Sequence, residues 1–552
     1  MTSSLREYLP HPKNLSKGSP KVIHDGLWGT LKLSPLEVAF LDTPLLQRLR
    51  QIRQMGCAYL TYPSTTHSRL EHTLGVMLQI ERLGKALVKR RGGTASISEG
   101  DVSELRIAAL LHDVGHGPFS HTSEEVYGSS PQFESVMNDI GPAKPHEILT
   151  YLILTSKRFK GFCEEVSGGH STMLRLDEIA PYIVGKCPPS ARPYKRELLN
   201  GPFDADKLDY LIRDSHFSGI PLSVDLDRLW YSVLIAKAKG EYHLAVNQSG
   251  AGALEQVLFA KMNLFTTLYH HHKIRACDCM FMGIIEYMRE NDLALPIRNR
   301  ELRWESPADY LWATDGEFLS FGFRTSDDRL HRLVHNLFFR HLLKRALVLS
   351  RKTIKLKEED RWDELQRLTK RGAESLRRRR ELAGEIWNRA GNPCLKQEIW
   401  VDLPELPTMS AASDTFVVPA RGRNSKAITL NEIFPTAAWT QQYGMNKWRG
   451  HVFCPEECRD KVARAAREVL EEKYDTEILN EAFLWCKVSP PQRALLDSLL
   501  NVSCDDVRAM VPPVLRHRIF TNFNADAEGV TVEDIVKRLL ETVPEPSEAD
   551  YR

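Results

Sequence analysis

The chain has no long apolar run. Nowhere in its 552 residues is there a stretch of the roughly 20 apolar positions that a bilayer-spanning helix requires. The start, Met1-Thr2-Ser3-Ser4-Leu5-Arg6-Glu7, has no apolar segment of the secretory type. No membrane partner is expected, and a cytoplasmic location is. Cysteine is sparse, at ten residues, so reduced thiols are expected rather than a disulfide framework. Cys277-x-Cys279 and Cys454-x3-Cys458 each lack a second ligand pair at usable spacing, which argues against structural zinc. Charge of one sign is also lacking: 74 Lys and Arg balance 72 Asp and Glu, for a net +2. No global field therefore demands nucleic acid or an anionic surface as partner. There is no internal repeat. What remains, 42% hydrophobic and 26% charged, is ordinary globular composition, long enough for about two to four domains.

Residues 1–20 are rich in Pro, Ser, Lys and Gly and read as a flexible N-terminal arm. Residues 21–300 are dominantly helical. Leu70, Leu74, Met77, Ile80, Leu83 and Leu87 recur at helical spacing with charges opposite. Val102 to Leu111 is apolar on most faces and reads as a buried helix, ending where Gly115, Gly117 and Pro118 break the period. Residues 301–394 read as a helical extension. In its charged stretch, residues 350–390, acids interleave with Arg377–Arg380, which favours a solvated helical face over a nucleic-acid patch. After Pro393 the texture changes. Glu398–Leu403 and His451–Pro455 alternate like strands, and Val462–Leu470 reads as an amphipathic helix. Ala411–Lys426 reads as a loop. Residues 395–552 are thus a C-terminal α+β lobe with a helical tail. The fold class expected is mainly α, a helical core with a smaller C-terminal α+β lobe.

Chemistry concentrates at His112-Asp113, near the C-terminal end of the buried helix. His72 lies upstream, and downstream there is an Asp in Asp204-Ala205-Asp206-Lys207-Leu208-Asp209-Tyr210. Two imidazoles and two carboxylates are a plausible set for one divalent or transition metal. Such a set, with further histidines nearby, points to metal-assisted phosphoryl hydrolysis. Taken singly, each residue reads as a satisfied core or capping group; jointly they do not.

Five further segments stand in order. They are Asp42-Thr43-Pro44-x-x-Gln47-Arg48-Leu49-Arg50-x-Ile52-x-Gln54, His67-x-Arg69-x-Glu71-His72, His112 through His121, Lys144-Pro145-His146-Glu147, and Asp204-x-Asp206-Lys207-x-Asp209-Tyr210-x-x-Arg213-Asp214. With these motifs the chain resembles the HD-domain phosphohydrolases, and within them the deoxynucleoside triphosphate (dNTP) triphosphohydrolases, including the animal SAM- and HD-domain enzyme and bacterial dGTPase-like proteins. The ordered likeness covers residues 21–280, and a looser one runs through Asp327-Asp328 and Arg345. No counterpart of the SAM domain is expected. Residues 21–300 are accordingly read as an HD phosphohydrolase domain.

The resemblance implies His72, His112, Asp113 and Asp206 as metal ligands, for Fe, Mn, Mg, Zn or Ni alike. It implies His121 with Glu124 as a proton-transfer dyad, where the animal enzyme has Asp in place of Glu124. His146 is implied as a triphosphate contact. His116, four residues beyond His112, shares its face only if the helix continues through the glycines. Arg69, Lys207 and Tyr210 match triphosphate contacts. Gln54 and Asp214 match the pair that binds the sugar 3′ hydroxyl, and Met55 an apolar residue under the sugar that disfavours a 2′ hydroxyl. Asp209 and Arg213 read as a structural ion pair. In Lys261–Lys273 the likeness departs: Lys261 and Tyr269 fit phosphate and nucleoside contacts if one residue is inserted before Lys273, while Met262 and His270 fit without it. His270, His271 and His272 point in different directions on a helix.

Lys21, Val22, Asp42, Gln47 and Arg50 match residues with which the animal enzyme reads a guanine-nucleotide activator. Against that, Asp42-Thr43-Pro44 also reads as a capped helix start that Gln47 and Arg50 brace. The resemblance implies a dNTP substrate, a guanine-nucleotide or dNTP effector, and a homo-oligomer (dimer, tetramer or hexamer). The expected activity is hydrolysis of dNTPs to deoxynucleoside and inorganic triphosphate, in nucleotide-pool control or in antiviral or anti-phage defence. The alternatives are an HD phosphohydrolase of a monophosphate or signalling nucleotide, and a non-catalytic nucleotide- or nucleic-acid-binding HD protein.

Overall fold

Four helices surround the His112-Asp113 pair. In the computed structural model, α1 (Arg69–Lys89), α2 (Glu99–Leu111), α3 (His121–Tyr127) and α4 (Pro145–Leu154) pack around it, and α5 (Ala205–Ser218) crosses α1. The structure describes residues 5–9, 20–89, 96–141, 143–167, 174–188, 192–298, 300–356, 365–370, 372–405, 413–419, 426–484, 486 and 531–542. Leu70, Leu74, Met77, Ile80, Leu83 and Leu87 are all buried on one face of α1, as their spacing requires. Ser98 opens α2 in a capping box with Asp101, which satisfies otherwise orphaned N–H groups. Beyond α2 the backbone at Gly115 lies so close to α4 that an added Cβ would stand 2.3 Å from the His146 carbonyl oxygen. Only glycine permits that approach.

The chain continues through β1 (Val233–Ala238), β2 (Glu241–Asn247), α6 (Ala251–Leu264), α7 (His272–Glu290) and α8 (Asp315–Gly322). It then enters β3 (Lys344–Leu349), α9 (Ala373–Arg389), β4 (Trp400–Asp402), β5 (Phe416–Val418), β6 (Ile428–Thr429), β7 (Gly450–Cys454) and α10 (Arg459–Tyr474). β7 lies between β3 and β4, antiparallel to both. This sheet packs with α9 and α10 around a second core that includes Leu347, Ile386, Val401, Val452 and Val469. The fold is mainly α, as expected.

Several expectations require correction. Leu5, Tyr8 and Leu9 of the arm are buried, and Tyr8 stacks on Trp312 at 4.5 Å. Their apolar area anchors this part of an otherwise polar segment. The lobe begins near Lys344, inside the expected helical extension, because β3 supplies an edge that β7 needs for its backbone hydrogen bonds. Ala411–Lys426, read as a loop, contains β5; the strand leaves the lobe and pairs in parallel with β2. Residues 411–412 and 420–425 lie outside the described residues. The arginine run is not uniformly solvated. Arg377 and Arg378 pair with Glu381 and Glu374 on their own helix. Arg379 and Arg380 instead reach Glu125 of α3 and Glu286 of α7.

Residues Met1–Val488 form one compact unit and Ser489–Arg552 a second. In the second, Thr531 and Asp534 cap a helix over Val532–Thr542. Among the described residues, no helix is long and apolar enough to cross a membrane.

Candidate metal centre and active site

Three helix ends deliver the candidate ligand set. His72 comes from the first turn of α1, and His112 is the C-cap of α2 with Asp113 next to it. Asp206 sits in the first turn of α5, whose N-cap Asp204 accepts from the Lys207 N–H at 2.8 Å. His72 Nε2 lies 3.0 Å from Asp206 Oδ1 and 3.7 Å from Asp113 Oδ2. His112 Nε2 lies 3.2 Å from Asp113 Oδ1 and 3.9 Å from Asp206 Oδ1.

The opposite ring nitrogens are committed elsewhere. His72 Nδ1 donates to Asp209 Oδ2 at 2.8 Å, and His112 Nδ1 donates to the Ala109 carbonyl at 2.7 Å. Both Nε2 lone pairs therefore face carboxylate oxygens, lone pair against lone pair, and His72 Nε2 makes no hydrogen bond although it is buried. Such a point calls for a cation. Burial opposes a charged ring, yet Asp206 and Asp209 lift His72 to about 10, so the same carboxylates draw a proton to Nε2 unless a metal ion takes that position. Donor types, converging lone pairs and fixed tautomers together fit a divalent or transition metal.

Asp209 does more than pair with Arg213. Its oxygens accept from His72, from Trp28 Nε1 and from Arg213 Nε at 2.9 Å, so it sets the His72 ring. Gly75 makes room for it, because an added Cβ would stand 1.9 Å from Asp209 Oδ1 and 2.5 Å from Arg213 Nη2. Gly75→Ala is expected to displace Asp209 and weaken metal binding about 10–100-fold, as loss of such an outer partner does. Metal titration of the purified variant checks this, and wild-type affinity would refute it.

A second group centres on Glu124. Its Oε1 lies 2.5 Å from His121 Nδ1 and 3.3 Å from His116 Nδ1, and its Oε2 is 2.9 Å from His146 Nδ1. His146 stacks on His116 with centroids 3.9 Å apart. His116 Nε2 in turn faces Asp113 Oδ1 at 3.4 Å. His116, His121, Glu124 and His146 are themselves a group able to hold an ion. Burial, with Arg69 and His146 adjacent, keeps the His116 ring neutral. Glu124 thus serves three histidines rather than His121 alone. The His121 side chain is about half exposed (51%) and the other three are buried, so His121 is the member of this group that an incoming molecule meets.

α3 enters this arrangement through a strained turn: Phe119 and Ser120 have φ of 56° and 59°. Left-handed non-glycine residues cost about 1–3 kcal/mol each and persist only where neighbours hold them. Ser120 Oγ donates to the Gln54 carbonyl and accepts from Arg69 Nε at 2.6 Å.

Arg69 and Lys207, expected on phosphate, have protein partners. Arg69 Nη1 donates to Asp113 Oδ2 at 2.8 Å; the buried guanidinium braces a candidate metal ligand. Lys207 Nζ donates to Asp204 Oδ2 at 2.5 Å and to the Gly201 carbonyl at 2.9 Å. Asp214, expected on the sugar, receives Tyr269 Oη at 2.8 Å and faces His67 Nε2 at 2.8 Å. His67 escaped the sequence reading although it stands in one of the motifs. Gln54 is buried with Oε1 unpartnered, Met55 packs at the edge of the core, and Tyr210 meets Tyr269 edge-on at 6.4 Å. Phe265–Tyr269 forms a π-turn, closed by His270 N–H to the Phe265 carbonyl at 2.9 Å. A π-turn holds one extra residue, and with it Lys261 and Tyr269 face the site while Met262 is buried against Leu258. Burial, with Lys207 and Lys144 nearby, brings Lys261 down to about 8. His271 meets Tyr62 edge-on, and His272 lies near His451. Contrary to expectation, the His271 and His272 rings are 4.6 Å apart, because His271 is the N-cap of α7 rather than a helical residue; only His270, against Phe265, points away.

Away from the centre, Lys21 Nζ pairs with Asp42 Oδ2 at 2.5 Å, Arg50 Nε donates to Gln47 Oε1 at 2.8 Å, and Gln47 Nε2 donates to the Leu41 carbonyl at 2.8 Å. Val22 is exposed. Thr43 caps the short helix Pro44–Gln47, so the bracing role of Gln47 and Arg50 is present in the geometry.

Comparison with known proteins agrees with this geometry. Residues 69–214 match the HD domain family and residues 224–480 the HD associated region; a shorter match to an AAA lid domain, 492–539, falls mostly outside the described residues. An uncharacterized protein of Methanocaldococcus jannaschii, MJ1154, is 28% identical over 50% of this chain and 51% of its own. Human deoxynucleoside triphosphate triphosphohydrolase SAMHD1 is 29% identical over 50% of this chain and 46% of its own. The Danio rerio protein of the same name is 31% identical over 46% and 42%. The chain spans about half the length of these curated relatives. A hypothetical protein from Aquifex aeolicus, 20% identical, shares the fold with a TM-score of 0.56 over 81% of this chain and 100% of that one. The ligand set and the ordered matches agree: the chain is an HD-domain protein, its HD domain followed by an HD associated region.

Proposed function

We propose that this chain hydrolyses dNTPs to deoxynucleoside and inorganic triphosphate. The observation that carries the reading is the convergence of two tautomer-fixed imidazoles and two carboxylates beside a half-exposed histidine whose Nδ1 is held by Glu124. His72, His112, Asp113 and Asp206 would hold the metal, which when bound would lower the pKa of water and stabilise charge at phosphorus. Arg69 holds Asp113, and Asp209 holds His72. Nδ1–H is directed at Glu124 and burial brings the ring down to about 4, so His121 Nε2 takes up the proton that the attacking water sheds at the α-phosphorus and passes it to the leaving 5′ oxygen. Lys261, with Lys207 and Lys144 near, supplies positive charge for the triphosphate; Tyr210 and Tyr269 border the nucleoside. Gln54 and Met55 support deoxyribose, since a 2′ hydroxyl buried there without a partner is disfavoured.

The sequence likeness to triphosphohydrolases supports dNTPs over monophosphates. The effector reading places a guanine nucleotide or dNTP at Lys21, Val22, Asp42, Gln47 and Arg50, in a homo-oligomer. Incubation with each dNTP, singly and mixed, followed by resolution of the products, tests both. Inorganic triphosphate is expected, and hydrolysis confined to mixtures would establish the effector. Orthophosphate or pyrophosphate as the released species would overturn the reading.

A pH dependence follows from Lys261. Its proton is held below about 8 and lost above, so KM for nucleotide is expected to rise as pH increases through that value. Lys261→Gln should raise KM at pH 7 and abolish the rise. A wild-type KM that is flat between pH 7 and 9 would exclude Lys261 from phosphate binding.

A further inference from the structure

The segment carrying His121 and Glu124 is gripped by groups from the HD associated region. Asp315, the first residue of α8, is buried; its Oδ1 accepts the Phe119 N–H at 2.8 Å. Its Oδ2 accepts the Arg53 N–H at 3.0 Å and faces Arg53 Nη1 at 3.5 Å. One carboxylate therefore ties the left-handed turn at Phe119 to the segment that supplies Gln54 and Met55. Three residues further on, the Thr122 hydroxyl donates to Asp278 Oδ1 of α7 at 2.6 Å. Asp278 Oδ2 receives Arg275 at 3.1 Å, and Arg275 also binds Asp402 of β4. Arg379 of α9 pairs with Glu125 at 2.6 Å.

None of these groups touches the metal ligands or the histidine rings. They hold the backbone from which His121 and Glu124 project, at the one place where its conformation is unfavourable without support. We propose that Asp315 is a positioning residue: it locks the Phe119–Ser120 turn and so aims His121 and Glu124 at the reaction centre, with the Thr122–Asp278 bond as its second anchor. This rests on the reading of His121 as the proton-transfer group. A misplacement of about 1 Å at such a group costs on the order of 100-fold in rate.

The test uses the full-length, metal-loaded protein with Asp315→Ala, Asp315→Asn and Thr122→Val. In Asp315→Ala, kcat for dNTP hydrolysis is expected to fall about 100-fold, while KM and bound metal stay within about threefold of wild type. Asp315→Asn keeps a carbonyl oxygen for the Phe119 N–H and should recover kcat to within about tenfold of wild type. Thr122→Val should fall between the two. Should Asp315→Ala not fold, the Asn and Val variants carry the same comparison. Wild-type kcat in Asp315→Ala would overturn the proposal, as would parallel loss of metal, KM and kcat in every variant. If wild type cleaves no dNTP, the functional reading fails, and positioning is decided separately by hydrogen exchange and histidine NMR. Faster amide exchange over residues 117–124 with a shifted His121 ring signal upholds it; unchanged exchange and an unchanged ring signal overturn it.

Discussion

Asp206→Ala is expected to abolish the proposed nucleotide hydrolysis, a loss of about 1,000-fold or more, in a chain that remains folded. The magnitude follows from the several kcal/mol that a bound metal contributes to transition-state charge stabilisation, at about 1.4 kcal/mol per tenfold in rate. The fold tolerates the change for a local reason. The Asp206 side chain is partly exposed, and His72 keeps its bond to Asp209 when Asp206 is gone. A His112→Ala/Asp113→Ala double variant should be equally inactive but less stable, because Asp113 is the buried partner of Arg69. Breaking such a pair costs about 3–5 kcal/mol, so Asp206→Ala is the cleaner experiment. Metal content, circular dichroism and product release are measured together. A folded, metal-depleted variant with full activity would remove the metal from the mechanism.

His121→Asn should lower kcat about 10²–10⁴-fold, the usual range for a positioned acid or base, with bound metal unchanged. The assignment is more specific than a loss of rate. If His121 protonates the leaving 5′ oxygen, a substrate that leaves as p-nitrophenolate needs no such proton, and its cleavage should be far less affected. Equal losses on both substrates would place His121 elsewhere in the reaction. Glu124→Gln is expected to be at least as damaging, because Glu124 faces three rings: His116, His121 and His146. Each would lose the charge that sets its tautomer.

Much of the candidate centre was legible in the sequence because its residues sit on helices or at their ends. The 3.6-residue period of Leu70 through Leu87 fixed the inward face of α1, and His72 lies on the same helix. The apolar run before His112 and the glycines after it marked a helix end, which the C-cap at His112 confirms. Lobe boundaries were less legible. β3 is six residues long, beside a highly charged stretch, and β5 lies in a polar segment; both are strands because a distant edge needs partners, which local pattern does not register. Arg379 and Arg380 carry the same letters as Arg377 and Arg378, and only packing decides which pair crosses to Glu125 and Glu286.

By itself the sequence determined the class of fold, since residue type and helical spacing suffice for it. His72, His112, Asp113 and Asp206 as candidate ligands and the His121–Glu124 pair came from the ordered motifs of the resemblance. Tertiary structure alone decided the partners. Asp209 rather than solvent fixes His72, Arg69 braces Asp113, Glu124 gathers three histidines, and Asp315, 196 residues away, holds the turn at Phe119. The physical reason is that a buried polar group must find its complement wherever the chain brings one, and hydrogen-bond partners distant in sequence leave no local pattern.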